Sequence, residues 1–193
     1  MKALDIFSMA SSLSSMQRYS QTFLNKRESV LEHTGFVVLF CCLVAQELLA
    51  RGRQVDVALL LSKAALHDID EIITGDIPRP TKYFDEETRK KFEKIEIVGM
   101  SKLIEKMTLQ QSTFDIWKNS KECYEGSIVA IADVAAVVYK GWEEIGLLGN
   151  NNFLHNTTNL AAHLEKLLLS LDDEFLIEIT KELFELSRRK SWK

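Results

Sequence analysis

The chain has 193 residues, 46% of them hydrophobic and 27% charged, which excludes a disordered chain and fits one domain, 1–193, with a sizeable core. A net charge of −4 excludes the broad basic face of a protein that binds polymeric nucleic acid. A small anionic substrate remains open, because a local positive pocket or a metal is enough to hold it.

Only 8 Gly and 2 Pro occur, and no segment alternates as a strand would, so the expected fold is all-α. A first helix is predicted over residues 3–15, followed by a polar connection from Gln17 to Arg27. Ser29-Val30-Leu31-Glu32 is a capping-box pattern, so a helix starts there, runs to about Ala50 and ends near Gly52. Its apolar run, Phe36 to Ala45, stops at Gln46 and Glu47, short of the ~20 residues a membrane span needs. The first residues, MKALDIFSMASSLSS, lack the long apolar core of a signal peptide. No membrane contact and a cytoplasmic location are therefore expected. Cys41, Cys42 and Cys123 form no CxxC pair and are odd in number, which fits a reducing compartment; each is read as a small buried apolar residue.

Val55 to about Ile73 is predicted as one helix, with Val57, Leu60, Leu61, Ala64 and Ala65 at three- and four-residue spacing. Thr74 to Pro80 must leave the helix, since Gly75, Pro78 and Pro80 cannot continue it. Asp85 to about Met107 reads as a charged, exposed helix, and Glu125 to about Ile145 as a buried apolar one. Gly149 to Asn152 is a turn, and two last helices fill 153–169 and 172–189.

Candidate chemistry gathers at three places. His67 and Asp68 lie near the end of an apolar helix, and Glu71 follows one helical turn later on the same face. An imidazole and a carboxylate suit a divalent metal, and an offset glutamate suits the proton of an activated water. Asp133 is the one acid in the apolar stretch Ile128–Val138, where an unpaired carboxylate is costly and a metal would offset that cost. His33 sits in the first turn of the capped helix. Together these give two imidazole nitrogens and two carboxylates, a set that suits one Zn, Mn, Co or Fe ion with positions left for water or substrate. His155 and His163 are eight apart, which is not the spacing of a helical metal pair. No Gly-rich phosphate loop and no GxSxG elbow occur.

The pattern His33…His67-Asp68…Asp133 resembles the HD-domain phosphohydrolases. Gln17-Arg18-Tyr19, Val30-Leu31-Glu32-His33-Thr34, the run His67 to Tyr83 and Ala132-Asp133 resemble one branch, the YfbR-like 5′-deoxynucleotidases, over roughly residues 10–165. The resemblance implies an HD-type helical bundle that binds metal through His33, His67, Asp68 and Asp133. It implies that Glu71 handles the attacking water and that Arg18 holds the phosphate. Asp76 would contact the sugar near its 3′-hydroxyl, and Lys82 would be a second phosphate contact. Tyr19 stands where relatives commonly carry Trp, and its ring would pack on base or sugar. The implied substrate is a deoxyribonucleotide, first a 5′-monophosphate. Phage enzymes of the same branch release triphosphate from dATP-type substrates, and Arg79, Lys82, Lys118 or Lys121 could serve a longer phosphate chain. A non-catalytic binding module on the same scaffold is the other alternative, disfavoured by the complete ligand set and Glu71. The resemblance also implies a homo-oligomer, usually a dimer.

Overall fold

The computed structural model describes residues 2–188, and among these it contains ten α-helices and no strand. Helix α1 spans Ala3–Ser15 and α2 spans Val30–Ala50. The predicted capping box is formed: the Ser29 N–H donates to the Glu32 carboxylate at 2.6 Å, and the Glu32 N–H donates to Ser29 Oγ at 3.2 Å. Between these helices residues 16–29 form a loop, closed by an isolated antiparallel bridge between Gln17 and Ser29.

The predicted helix from Val55 to Ile73 is broken in two. Helix α3 spans Val57–Leu66, capped by Asp56, and a single turn, α4, spans Glu71–Thr74. The break has a local cause. His67 Nδ1 lies 2.8 Å from the Ala64 carbonyl oxygen, the acceptor an uninterrupted helix would offer to the N–H of Asp68. The backbone then tightens, with Ile69 N–H donating to Leu66 O and Ile72 N–H to Ile69 O, three residues back. The predicted loop ends early as well. Pro78 precedes one helical turn, α5 (Arg79–Lys82), with Pro80 in the first turn where its missing N–H costs nothing.

Helix α6 (Glu86–Met107) is capped by Asp85. Helix α7 (Gln111–Lys118) is an addition to the predicted set. Helix α8 (Cys123–Trp142) runs on into a π-helical turn, Glu143–Leu147. A 3₁₀ turn, Asn151–Phe153, leads into α9 (Leu154–Leu171) and α10 (Glu174–Arg188). Arg189, the expected last helical residue, lies outside the described residues.

Helix α8 is the centre of the bundle and packs on α2, α3, α9 and α10. Its Ile128, Val129, Ile131, Ala135 and Val138 join Val37, Val44 and Leu48 of α2, Leu60 of α3, Leu164 of α9 and Leu176 of α10 in one core. A Cβ on Gly141 would collide with Thr157, so the missing side chain lets α8 and α9 approach. On length and composition α2 could cross a membrane, but its apolar residues Val37, Cys41, Val44, Ala45 and Leu48 are core residues here. A smaller cluster, Ile69, Met100 and Trp117, ties α6 and α7 to the His67–Asp70 turn. That turn is therefore held between two apolar masses. Cys41 is buried as expected, but Cys123 is exposed, because it opens α8 at the surface.

Candidate metal centre and its pocket

The broken helix carries His67 and Asp68 to the middle of the bundle, facing His33 from α2 and Asp133 from α8. His33 is fully buried, and its Nε2 lies 3.1 Å from Asp133 Oδ1 and 3.7 Å from Asp68 Oδ2. His67 Nε2 lies 3.1 Å from Asp68 Oδ2. One donor atom from each of these four residues falls within 4.8 Å of all the others.

This donor set fits a divalent ion. With Nδ1 of His67 donating to the Ala64 carbonyl, Nε2 carries the lone pair, and it is buried without a hydrogen-bond partner. Burial alone would raise the pKa of Asp68, but His67 and then Arg18 outweigh it and hold the carboxyl well below its usual range. Asp133 is likewise held low despite its burial, by Lys121 and His33. Burial, with Arg18 assisting, lowers the pKa of His33 and favours its neutral, ligating form. For His67 burial acts in the same direction, but Asp68 reverses it and the net shift is upward.

The centre opens into a cavity of about 300 Å³ lined by His67, Asp68, Glu71, Lys82, Lys118 and Lys121 among others. Glu71 begins α4. Burial, then the charge of Asp68, pushes its pKa up to about 8, and its Oε2 is buried without a partner. A carboxylate with a raised pKa beside a metal site is suited to accept a proton from water.

The loop between α1 and α2 supplies Arg18. Its Nη1 lies 3.6 Å from Asp68 Oδ2, and its Nε lies 3.6 Å from Glu28 Oε1. Both nitrogens are buried and hydrogen-bond to no protein group, so they are available to an anion. Tyr19 takes the left-handed conformation, with φ 57°. Its N–H donates to Asp76 Oδ2 at 2.8 Å, and its ring meets Phe153 edge-on with centroids 5.5 Å apart. The ring is thus seated against the core side of the loop. Burial pushes the Tyr19 phenol up to about 12. Lys82 lines the cavity but is already paired with Glu96 at 2.6 Å. His155, near Asn159, and the exposed His163 stand apart from the four-residue centre.

Glu28 is a neighbour of the centre that the sequence did not single out. It is 6% exposed, and its Oε1 lies 3.8 Å from His33 Nδ1 as well as near Arg18. Asp70 is another: its carboxylate accepts from Trp117 Nε1 at 2.9 Å and fixes the turn that carries His67 and Asp68.

Residues 5–183 match the family described as 5′-deoxynucleotidase YfbR-like. The 5′-deoxynucleotidase YfbR of Escherichia coli O127:H6 (strain E2348/69 / EPEC) is 30% identical over 191 residues, covering 97% of this chain and 95% of that relative. A conserved hypothetical protein from Pyrococcus furiosus superposes with a TM-score of 0.75 at 25% identity, over 95% of this chain and 99% of that one. An HD-domain phosphohydrolase from Listeria innocua gives a TM-score of 0.69 at 25% identity, over 99% and 100% of the two chains. The cyanophage S-2L HD phosphohydrolase, solved with dA and one catalytic Zn²⁺ ion, shares the fold at a TM-score of 0.65 and 19% identity, over 97% of this chain and 95% of that one. The chain belongs to the YfbR-like 5′-deoxynucleotidase family and is a hydrolase of the HD-domain type.

Proposed function

We propose that this protein hydrolyses the 5′-phosphoester of deoxyribonucleotides, releasing phosphate from deoxynucleoside monophosphates. The observation that carries this reading is the joint placement of four donor atoms within 4.8 Å, a buried arginine beside Asp68, and Glu71 on the same cavity. His33, His67, Asp68 and Asp133 would hold one divalent ion, of Co, Mn, Zn or Fe type. Such an ion supplies Lewis acidity at the phosphoryl group and lowers the pKa of a water.

The chain's own residues do the rest. Arg18 would orient the phosphate through Nε and Nη1, which hydrogen-bond to no protein group. Glu71 would take a proton from the attacking water. As water adds to phosphorus, the P–O5′ bond breaks and that proton passes to O5′. Asp76, whose Oδ2 holds the Tyr19 backbone, has its second oxygen for the sugar. Tyr19 would act through the loop it anchors and through the ring beside Arg18, whose guanidinium carbon lies 5.5 Å from the ring centroid. Lys82 would act at the cavity wall with Glu96. A second reading, release of triphosphate from deoxynucleoside triphosphates, is favoured by Lys118 and Lys121 on the same cavity. Phe36, Leu39 and Leu43 form an exposed apolar stripe on α2, which suits the homo-oligomer that the family resemblance implies.

The test is a panel of deoxy- and ribonucleotides, as mono- and triphosphates, incubated with Mn²⁺ or Co²⁺ and resolved by chromatography. Phosphate released from deoxy-monophosphates supports the reading, and intact triphosphate supports the second. Glu71→Gln should bind metal normally but turn over about a hundredfold or more slowly. Wild-type protein that binds metal yet acts on no nucleotide would overturn the substrate assignment.

A further inference from the structure

The two carboxylates of the centre are held differently. Asp68 Oδ2 is the oxygen near His67 and His33, and Arg18 approaches that same oxygen, at 3.6 Å. Asp133 divides its oxygens. Its Oδ1 faces His33 Nε2 at 3.1 Å, on the side of the other donors, while its Oδ2 accepts from Lys121 Nζ at 2.5 Å. Among the described residues Lys121 is the one lysine or arginine within ion-pair reach of Asp133. The Asp133 side chain is 13% exposed and stands in the apolar stretch of α8, so an oxygen left unpaired there is costly. Lys121 offsets that cost with a charge-assisted bond.

The ammonium is placed by structure outside the centre. Lys121 lies in the loop between α7 and α8, residues 119–122. Lys63 of α3 is buried, and its ammonium donates to the carbonyls of Asn119 and Glu122, each at 2.6 Å, on either side of Lys121. A lysine buried to this degree needs such acceptors. A Cβ on Gly126 would collide with the Lys121 backbone, so the bare face of α8 admits the loop closely. Helix α7, just before the loop, is tied through Trp117 to Asp70, in the turn that carries His67 and Asp68. A loop anchored at three points thus delivers a half-exposed side chain to one oxygen of Asp133.

Resting on the metal-dependent reading of this centre, we propose that Lys121 is a positioning residue, which holds Asp133 Oδ2 and leaves Oδ1 as the one oxygen of Asp133 offered to a divalent ion. The place that Oδ2 would otherwise take at the ion then stays open to water or substrate, as a catalytic metal site requires.

Co²⁺ reports this directly, because its visible absorption weakens as the number of ligands rises. Lys121→Met keeps much of the side chain and removes the charge. Loaded with Co²⁺ it should absorb less strongly than the wild type, and at saturating metal its kcat should fall about tenfold with KM nearly unchanged. Lys121→Arg keeps a donor and should restore the wild-type spectrum. A Lys121→Met spectrum identical to that of the wild type, or a weakened one that Lys121→Arg leaves unrestored, would overturn the proposal while the metal reading stands. A wild type that takes up no Co²⁺ defeats the metal reading and this proposal with it. A wild type that binds Co²⁺ but turns over no nucleotide defeats the substrate reading alone, and the spectra still decide the role of Lys121.

Discussion

The Tyr19 N–H donates to Asp76 Oδ2 at 2.8 Å, a bond that joins two loops 57 residues apart. One loop carries Arg18, and the other follows α4, which begins at Glu71. Tyr19 holds φ at 57°, a conformation that costs a non-glycine residue free energy and needs such an anchor. Asp76 therefore fixes the loop that carries Arg18, besides anything it offers a sugar.

Asp76→Ala should consequently impair more than sugar selection. It should cost about 1–3 kcal/mol of stability, because it leaves the Tyr19 N–H without its acceptor, and raise KM for deoxy- and ribonucleotides alike. Asp76→Asn keeps an acceptor oxygen and should recover most of the stability. Thermal unfolding and steady-state kinetics on both variants check this. An Asp76→Ala protein with unchanged melting and a defect confined to deoxyribose would show that the clasp is incidental.

The cluster of His33, His67, Asp68 and Asp133 was legible in the sequence as a candidate metal site because two signals are local. Asp133 interrupts an apolar helix, and His67-Asp68 is followed by Glu71. The break after α3 was not legible. Ile69, Ile72 and Ile73 continue the helical period, while the His67 ring takes the Ala64 carbonyl that would continue the helix. Helix α7 was missed for a different reason. Phe114 and Trp117 are three apart in an otherwise polar segment, and the indole of Trp117 finds its use only through Asp70, 47 residues away. Lys121 could be named as a basic residue, but its place depends on Lys63 and Gly126 from two other elements. Glu28 gave no signal at all, since its neighbours Arg18 and His33 come together only when the loop closes through the Gln17–Ser29 bridge.

Acid stability should depend on Glu144, which is fully buried and accepts from the N–H groups of Asn25 and Lys26, from Asn150 Nδ2 and from Lys140 Nζ. Burial alone would raise its pKa, but these donors, Asn150 foremost, bring it down from 4.5 to about 2. A depressed carboxylate stabilises the fold fully above its unfolded value and loses that contribution as pH falls through its folded value. The loss should therefore run from pH 4.5 down to about 2, and amount to about 3 kcal/mol. Urea unfolding at several pH values should show this slope in the wild type and a flattened one in Glu144→Gln. The same network holds residues 25 and 26 of the Arg18 loop, so that variant should also lose activity at neutral pH.

Glu28 should act on metal affinity through His33. Its Oε1 faces His33 Nδ1 at 3.8 Å and Arg18 Nε at 3.6 Å, and all three atoms are buried without hydrogen-bond partners. A carboxylate facing a ligating imidazole favours it through its charge, and where such a partner is hydrogen-bonded its loss commonly weakens metal binding about 10–100-fold. Glu28→Gln keeps the shape and removes the charge. It should lower affinity for Zn²⁺ or Mn²⁺ within that range while the apoprotein melts close to the wild type. Because the same carboxylate also faces Arg18, KM should rise even at saturating metal, which metal supply alone does not produce. Competition with a fluorescent chelator measures the first effect and kinetics at excess metal the second. Unchanged metal affinity in Glu28→Gln would reduce Glu28 to a partner of Arg18 alone.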